Sequence, residues 1–114
     1  MDRTIFQKII DRELDADIVF ENDKIIAFND VNPVAPIHIL IVPKKLINSL
    51  NYIENEDKEL IGEMFLAAKE IAKKLKINDS GYRTVFNTND DAGQTVYHIH
   101  LHLIGGRKLD WPPG

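Results

Sequence analysis

The run Tyr97-His98-Ile99-His100-Leu101-His102-Leu103 constrains this chain more than any other feature of it. Imidazoles and bulky apolar side chains alternate without a break, and strict period two is what a β-strand with two different faces produces. Successive histidines then stand about 6.5 to 7 Å apart along one face of the strand. Tyr97, Ile99, Leu101 and Leu103 are expected to enter a core from the opposite face. Only four histidines occur in the chain, and three of them lie in this segment. A solvated edge strand would be served as well by threonine, lysine or glutamate. An imidazole near neutral pH is a nucleophile, acid, base or metal ligand, so the row predicts a site as well as a strand.

The rest of the pattern predicts one α+β domain over residues 1–114. Thr4 and Gln7 read as a capping box opening a short helix, with Ile5, Phe6, Ile9 and Ile10 on one face and Leu14 nearby. Residues 18–20 read as a strand, 21–23 as a turn and 24–28 as the return strand. A loop from Asn29 to Pro33, braced again by Pro36, precedes the nearly all-apolar segment 37–42, which suits a strand covered on both faces. Over residues 56–75 the period becomes helical: Leu60, Ile61, Met64, Phe65, Ala68, Ile71, Ala72 and Leu75 recur at three- and four-residue steps. Lys73, Lys74 and Lys76 suit the negative end of that helix. A strand over 82–87, a polar loop over 88–93 and the histidine strand follow, with Gly105-Gly106 as its stop. Five strands, one long helix and one short helix result, and strands that directly follow one another are expected to pair antiparallel.

The chain of 114 residues carries a net charge of -4, which argues against a non-specific nucleic-acid surface. It has no cysteine, so neither disulfides nor thiolate-based zinc sites are available. The opening run is charged throughout, unlike a secretory signal, and the apolar stretch 37–42 is far too short to span a bilayer. A cytoplasmic location with no membrane partner is the expectation.

Two chemistries compete for the histidine row. Three ligands spaced evenly along one strand would leave the first and third about 13 Å apart at the backbone. A tetrahedral zinc site needs ligands converging from different directions, and His38 is the only further histidine. No helical HExxH glutamate accompanies them. Nucleophilic attack of a neutral imidazole on phosphorus suits the row better, because a covalent phospho-histidine divides one displacement into two. Neighbouring imidazoles and backbone N–H groups would then stabilise the phosphoryl oxygens. A reaction without metal or other cofactor is expected.

His98-Ile99-His100-Leu101-His102-Leu103 resembles the alternating histidine motif of the histidine triad (HIT) superfamily. The segments 4–10, 27–33, 35–38 and 93–98, together with Gly105-Gly106-Arg107 and Trp111-Pro112-Pro113-Gly114, are similar to its Hint branch, the histidine triad nucleotide-binding proteins. The resemblance covers essentially the whole chain. Diadenosine polyphosphate hydrolases of the superfamily lack this tail, and the uridylyltransferases have glutamine where His102 stands. The resemblance implies a homodimer whose two five-stranded sheets join into one of ten strands. It also implies a purine nucleoside phosphoramidase that releases the nucleoside monophosphate from 5′-phosphoramidates or acyl-adenylates. The rival readings are a zinc-binding protein and a non-catalytic nucleotide-responsive scaffold.

By the same resemblance His100 is the nucleophile, and His102 and Asn87 hold phosphate oxygens in a pocket also lined by Gly93 and Thr95. His38 and His98 orient the nucleophile and relay protons, either one being the source for the leaving amine. Asp30 holds the ribose hydroxyls; without the family it reads rather as an ordinary Asx turn before Pro33. On sequence alone Asn87 reads equally as a strand-end amide donating to phosphate and as turn chemistry with Thr88 and Asn89, Gly93 rather as a plain loop glycine, and His38 as a hydrogen-bonded core histidine. Ile5, Phe6, Ile9, Phe28 and Val31 make the apolar purine slot, with Ile9 equally a core residue. Trp111 corresponds to a residue reaching toward the partner subunit's site, or else is a surface anchor. Thr95 stands where many members have serine, and Asp15 where relatives often have proline.

Overall fold

The computed structural model describes residues 3–114; Met1 and Asp2 of the expected 1–114 domain lie outside it. In chain order come α1 (Ile5–Ile10), β1 (Ile18–Glu21), β2 (Ile25–Asn29), β3 (Ile37–Pro43), α2 (Lys58–Lys74), β4 (Tyr82–Val85) and β5 (Leu101–Gly105). The five strands form one sheet in the order β1-β2-β3-β5-β4, every neighbouring pair antiparallel. The directly consecutive pairs β1/β2, β2/β3 and β4/β5 are neighbours, as expected. The chain leaves β3 through α2 and returns one place further out, so β5 fills the gap between β3 and β4.

The nearly apolar sequence of β3 is explained by its central place, because both of its faces are covered. Ile39 and Ile41 join Ile25, Ala27, Leu101 and Leu103 against Met64, Ala68, Ile71 and Ala72 of α2. Leu40 and Val42, one residue out of phase, pack with Ile26, Phe28, Phe6 and Ile9 on the side of α1. The sheet therefore has a helix-covered core face and a second face only partly closed by α1. The capping box that starts α1 is formed in both directions: Gln7 N–H donates to Thr4 Oγ1 at 3.1 Å and Thr4 N–H donates to Gln7 Oε1 at 2.7 Å.

Five expectations need adjustment. The histidine run is not one regular strand from residue 97, since β5 starts at Leu101. Its partner β3 stops at Pro43, which has no N–H to extend the ladder, and Ile99 N–H turns instead to the Ile47 carbonyl at 2.8 Å. Ile99, Leu101 and Leu103 keep their parity and are buried in the α2-side core, but Tyr97 is exposed and its hydroxyl donates to Asp90 at 3.1 Å. β4 ends at Val85 rather than 87, because β5 offers regular backbone only from Leu101. Phe65 lies outside the core, half exposed against Phe86 at 5.9 Å between ring centres. Gly105 is the last residue of β5, and the turn is made by Gly106 in the left-handed region at φ 91°. No helix among the described residues is long and apolar enough to cross a membrane.

Leu103 is fully buried at the centre of the α2-side core. Leu103→Ala is expected to destabilise the fold by about 2–5 kcal/mol, measured by chemical denaturation.

Candidate functional site

The register between β3 and β5 brings the outlying histidine to the row. Leu40 lies directly opposite His102, so His38, two residues along β3, is its diagonal neighbour on the α1-side face. His38 Nε2 and His102 Nδ1 are 2.9 Å apart. The other nitrogen of His38 settles the direction of that bond. Val34 N–H donates to His38 Nδ1 at 3.1 Å, so Nδ1 holds a lone pair and the proton of neutral His38 sits on Nε2. His38 Nε2–H therefore donates to His102 Nδ1, and the proton of neutral His102 is on its Nε2, the side of the ring away from His38. Asp30 Oδ2 stands 3.4 Å from the same His38 Nε2.

His100 is fixed by its own backbone. Its Nδ1–H donates to the carbonyl of His98 at 2.9 Å, since a carbonyl can only accept. The lone pair is then left on Nε2. The Phe6 ring stands edge-on to this imidazole at 4.9 Å between centres, and His102 lies 5.0 Å away on the other side. His98 is wholly buried and its Nε2–H donates to the Pro43 carbonyl at 2.7 Å. Its Nδ1 is buried with no hydrogen-bond partner among the described residues. The first histidine of the row thus ties the segment before β5 to the end of β3, and its carbonyl aims the second.

All four imidazoles are held below the ordinary histidine range, in each case first by burial, which penalises the charged form. His102 is pushed furthest, to about 4, because His100 and His38 add their repulsion and Asp30 offsets it only in part. Asp30 also works against the burial of His38 and His100. Neutral imidazoles with assigned protons are what this face presents near neutral pH.

The face opens into a cleft of about 690 Å³. Of the residues singled out from sequence, Ile5, Phe6, Ile9, Phe28, Asp30, Val31, Thr95, His100 and His102 line it. His38 and His98 are buried beneath it. Asn87 and Gly93 are not among its lining residues. Asn87 follows the end of β4, and continuing the Val85↔His102 register puts it opposite His100. Gly93 is exposed, with φ 81° closing a short 3-10 turn. Asp30 combines both of its readings: Oδ1 accepts from Asn32 N–H at 2.8 Å in an Asx turn, and Asp30 still lines the cleft. Ile9 likewise is both buried core and wall. Trp111 is exposed, with the Arg83 guanidinium 6.0 Å from its ring centre.

Sequence reasoning missed Leu14, Asp15, Ala16, Asp17, Asn29, Asn32, Leu40 and Val96 as lining residues. Leu40 had a signal, since period two puts it on the same face as His38. The segment 14–17 had none, because its position follows from how the link from α1 to β1 lies across the sheet. Asp17 is held there by Asn29, whose Nδ2–H donates to Asp17 Oδ2 at 2.8 Å.

Asp30, His38 and His102 bring one ligand atom each within 4.8 Å of one another. This convergence comes from two strands and a loop, not from the histidine row itself. A tetrahedral metal holds its ligand atoms about 3.3 Å apart. However, Val34 N–H occupies His38 Nδ1 and so keeps a proton on the nitrogen a metal would need. Metal binding there requires that hydrogen bond to be released.

The family model of the HIT domain matches residues 11–109. An uncharacterised HIT-like protein of Synechocystis sp. is 51% identical over 111 residues, covering 97% of this chain and 96% of that protein. A HIT family hydrolase from Legionella pneumophila superposes with a TM-score of 0.97 at 47% identity, over 98% of this chain and 100% of the other. A histidine triad nucleotide-binding protein from Candida albicans superposes with a TM-score of 0.83 at 30% identity, over 96% of this chain and 83% of the other.

The depressed histidines make stability pH-dependent. Above the ordinary value of 6.5 both folded and unfolded chains hold these imidazoles neutral; below it the unfolded chain takes up protons first. Stability is therefore expected to be full above about pH 6.5 and to fall as pH drops toward about 4, where His102 charges in the fold. Urea midpoints across that range, with the histidine ring-nitrogen NMR titration, measure it; a His102 titrating near 6.5 would contradict the assignment.

Proposed function

The chain belongs to the HIT domain family, and from that premise we propose that it is a nucleotide-binding hydrolase of the Hint type. It cleaves the phosphorus–nitrogen bond of purine nucleoside 5′-phosphoramidates, and the corresponding acyl-adenylates, through a nucleotidyl-His100 intermediate. The observation that carries this reading is the tautomer of His100. Its Nδ1–H is spent on the His98 carbonyl, so a neutral lone pair on Nε2 is available to phosphorus at the floor of the cleft.

The steps follow from the proton positions. The purine enters between Ile5, Phe6, Ile9, Phe28 and Val31, and Asp30 accepts from the ribose hydroxyls. Thr95 offers its hydroxyl to the phosphate, with Asn87 and Gly93 in the phosphate roles implied by the family. His100 Nε2 attacks phosphorus in line, the phosphorus–nitrogen bond breaks, and the nitrogen leaves as an amine. An amide anion is too basic to depart, so it takes a proton from a water molecule as the bond breaks, leaving hydroxide, and His102 Nε2–H, on the side of its ring away from His38, donates a hydrogen bond to the departing nitrogen. The proton-bearing nitrogen of His98 is committed to Pro43, which argues against His98 as the source. His38 acts behind His102 by holding its Nδ1. The nucleotidyl-imidazolium keeps its Nδ1–H on the His98 carbonyl. The hydroxide so formed then attacks phosphorus, the bond from phosphorus to His100 breaks, and His100 leaves as the neutral imidazole. No metal or other cofactor takes part.

A homodimer accompanies this reading. β4 is an edge strand, with exposed Tyr82 on it and exposed Phe65 and Leu66 on the neighbouring helix. A second copy pairing along β4 would extend the sheet to ten strands and cover an apolar surface. Size-exclusion chromatography with light scattering tests this.

His100→Ala is expected to lower hydrolysis of an adenosine or guanosine phosphoramidate at least a thousandfold, with the fold intact by circular dichroism. Rapid-quench mass spectrometry of the wild type should show a nucleotidyl mass on His100. Activity in excess chelator should be unchanged, which separates this reading from a zinc-dependent one. Asp30→Ala should lower kcat/KM by about 10- to 100-fold through lost charge-assisted hydrogen bonds to the ribose. Activity should hold below pH 6.5 and decline only as the depressed imidazoles take up protons.

A further inference from the structure

The loop from Asp30 to Pro36 is the least enclosed part of the site. Val31 is 90% exposed and Val34 is 57% exposed, so no core packing holds them. Yet Val34 N–H selects which nitrogen of His38 carries the proton. Two residues from the far end of the chain meet this loop just after β5. Gly106 lies so close to Pro36 that a Cβ on it would sit 2.9 Å from Pro36 Cβ. Arg107 Nη2 donates to the Val34 carbonyl at 2.9 Å, a bond between residues 73 apart in sequence.

We propose that Arg107 is a positioning residue for the His38–His102 pair, holding Val34 so that its N–H keeps the His38 proton on Nε2. Arg107 touches neither imidazole. It grips the carbonyl of the residue whose N–H touches one. With that grip lost, Val34 swings in solvent and its N–H no longer sits on Nδ1. His38 can then carry its proton on Nδ1 and leave Nε2 bare. The bond to His102 survives only by reversing, with His102 protonated on Nδ1 and its Nε2 lone pair turned toward the cleft. That nitrogen could no longer donate a hydrogen bond to a departing group. Asp30 is anchored separately, by its own N–H on the His38 carbonyl at 2.9 Å. The latch should therefore act on turnover and leave ribose binding alone.

The groups facing His38 are Asp30 from the loop at 3.4 Å and His102 from β5 at 2.9 Å, with His100 beyond His102. An N–H donated to the lone pair of Nδ1 opposes protonation there. Its loss moves the acid limb of the activity profile to higher pH.

The kinetic part of this inference rests on the proposed function; the tautomer part does not. The test uses Arg107→Met, at an exposed position, and Val34→Pro, which deletes the N–H but keeps the carbonyl and the charge of Arg107. In Arg107→Met, kcat should fall about tenfold with KM within twofold of wild type, and the acid limb should move up. In substrate-free protein the ring-nitrogen NMR signals of His38 should shift toward the Nδ1-protonated form. Val34→Pro should reproduce these changes, and the double variant should add little to either. Unchanged His38 nitrogen signals in Arg107→Met overturn the proposal whatever the kinetics do. If Val34→Pro does not fold, Arg107→Met alone decides. Altered tautomers in a protein that hydrolyses no phosphoramidate would uphold the latch and sink the assigned reaction.

Discussion

The backbone register of β3 against β5 carries everything that follows. With Leu40 opposite His102, the even-numbered residues of both strands face the cleft and the odd-numbered ones face α2. A slip of one residue would drive the imidazoles into the α2 core and turn Ile39, Ile41, Leu101 and Leu103 outward. Burial of those four side chains therefore enforces the alignment of the histidine face, and no contact among the histidines is needed to set it. The diagonal bond between His38 and His102 is a consequence of that register.

Once the register is set, carbonyls and N–H groups assign the protons. The His98 carbonyl takes the Nδ1–H of His100, the Pro43 carbonyl takes the Nε2–H of His98, and Val34 N–H takes the lone pair of His38. Each of these partners is backbone, and each can act in only one sense. Burial then keeps the imidazoles neutral, with His102 held furthest from its charged form. Two neutral imidazoles side by side, His100 with a bare Nε2 and His102 with an Nε2–H, are thus maintained with Asp30 as the charged neighbour that acts on both.

Much of the architecture was legible in the chain. Alternation marked β5, a nearly continuous apolar run marked β3, three- and four-residue steps marked α2, and Thr4 with Gln7 marked the start of α1, because side-chain direction is locked to backbone period and burial to residue type. The ends were less legible. Pro43 stops β3, so the histidine run becomes regular only at Leu101 and Tyr97 drifts to the surface. Phe65 fits the helical stripe but lies beside Phe86 at the margin of the sheet, where the core has ended. Of the site, the triad and the apolar wall of the cleft could be named from sequence, whereas residues 14–17 could not, since nothing local says what a linker lies across.

By itself the sequence determined the strand parity, the apolar wall and the set of imidazoles, because those depend on residue type and spacing along the chain. Only the tertiary structure decided which nitrogen of each imidazole bears the proton. For His98 and His102 that choice belongs to partners far away in sequence, Pro43 and His38; for His100 and His38 it belongs to backbone groups two and four residues off, the His98 carbonyl and the N–H of Val34, and the fold decides whether those groups meet the rings. A proton goes where an acceptor waits, and folding alone puts the acceptor there.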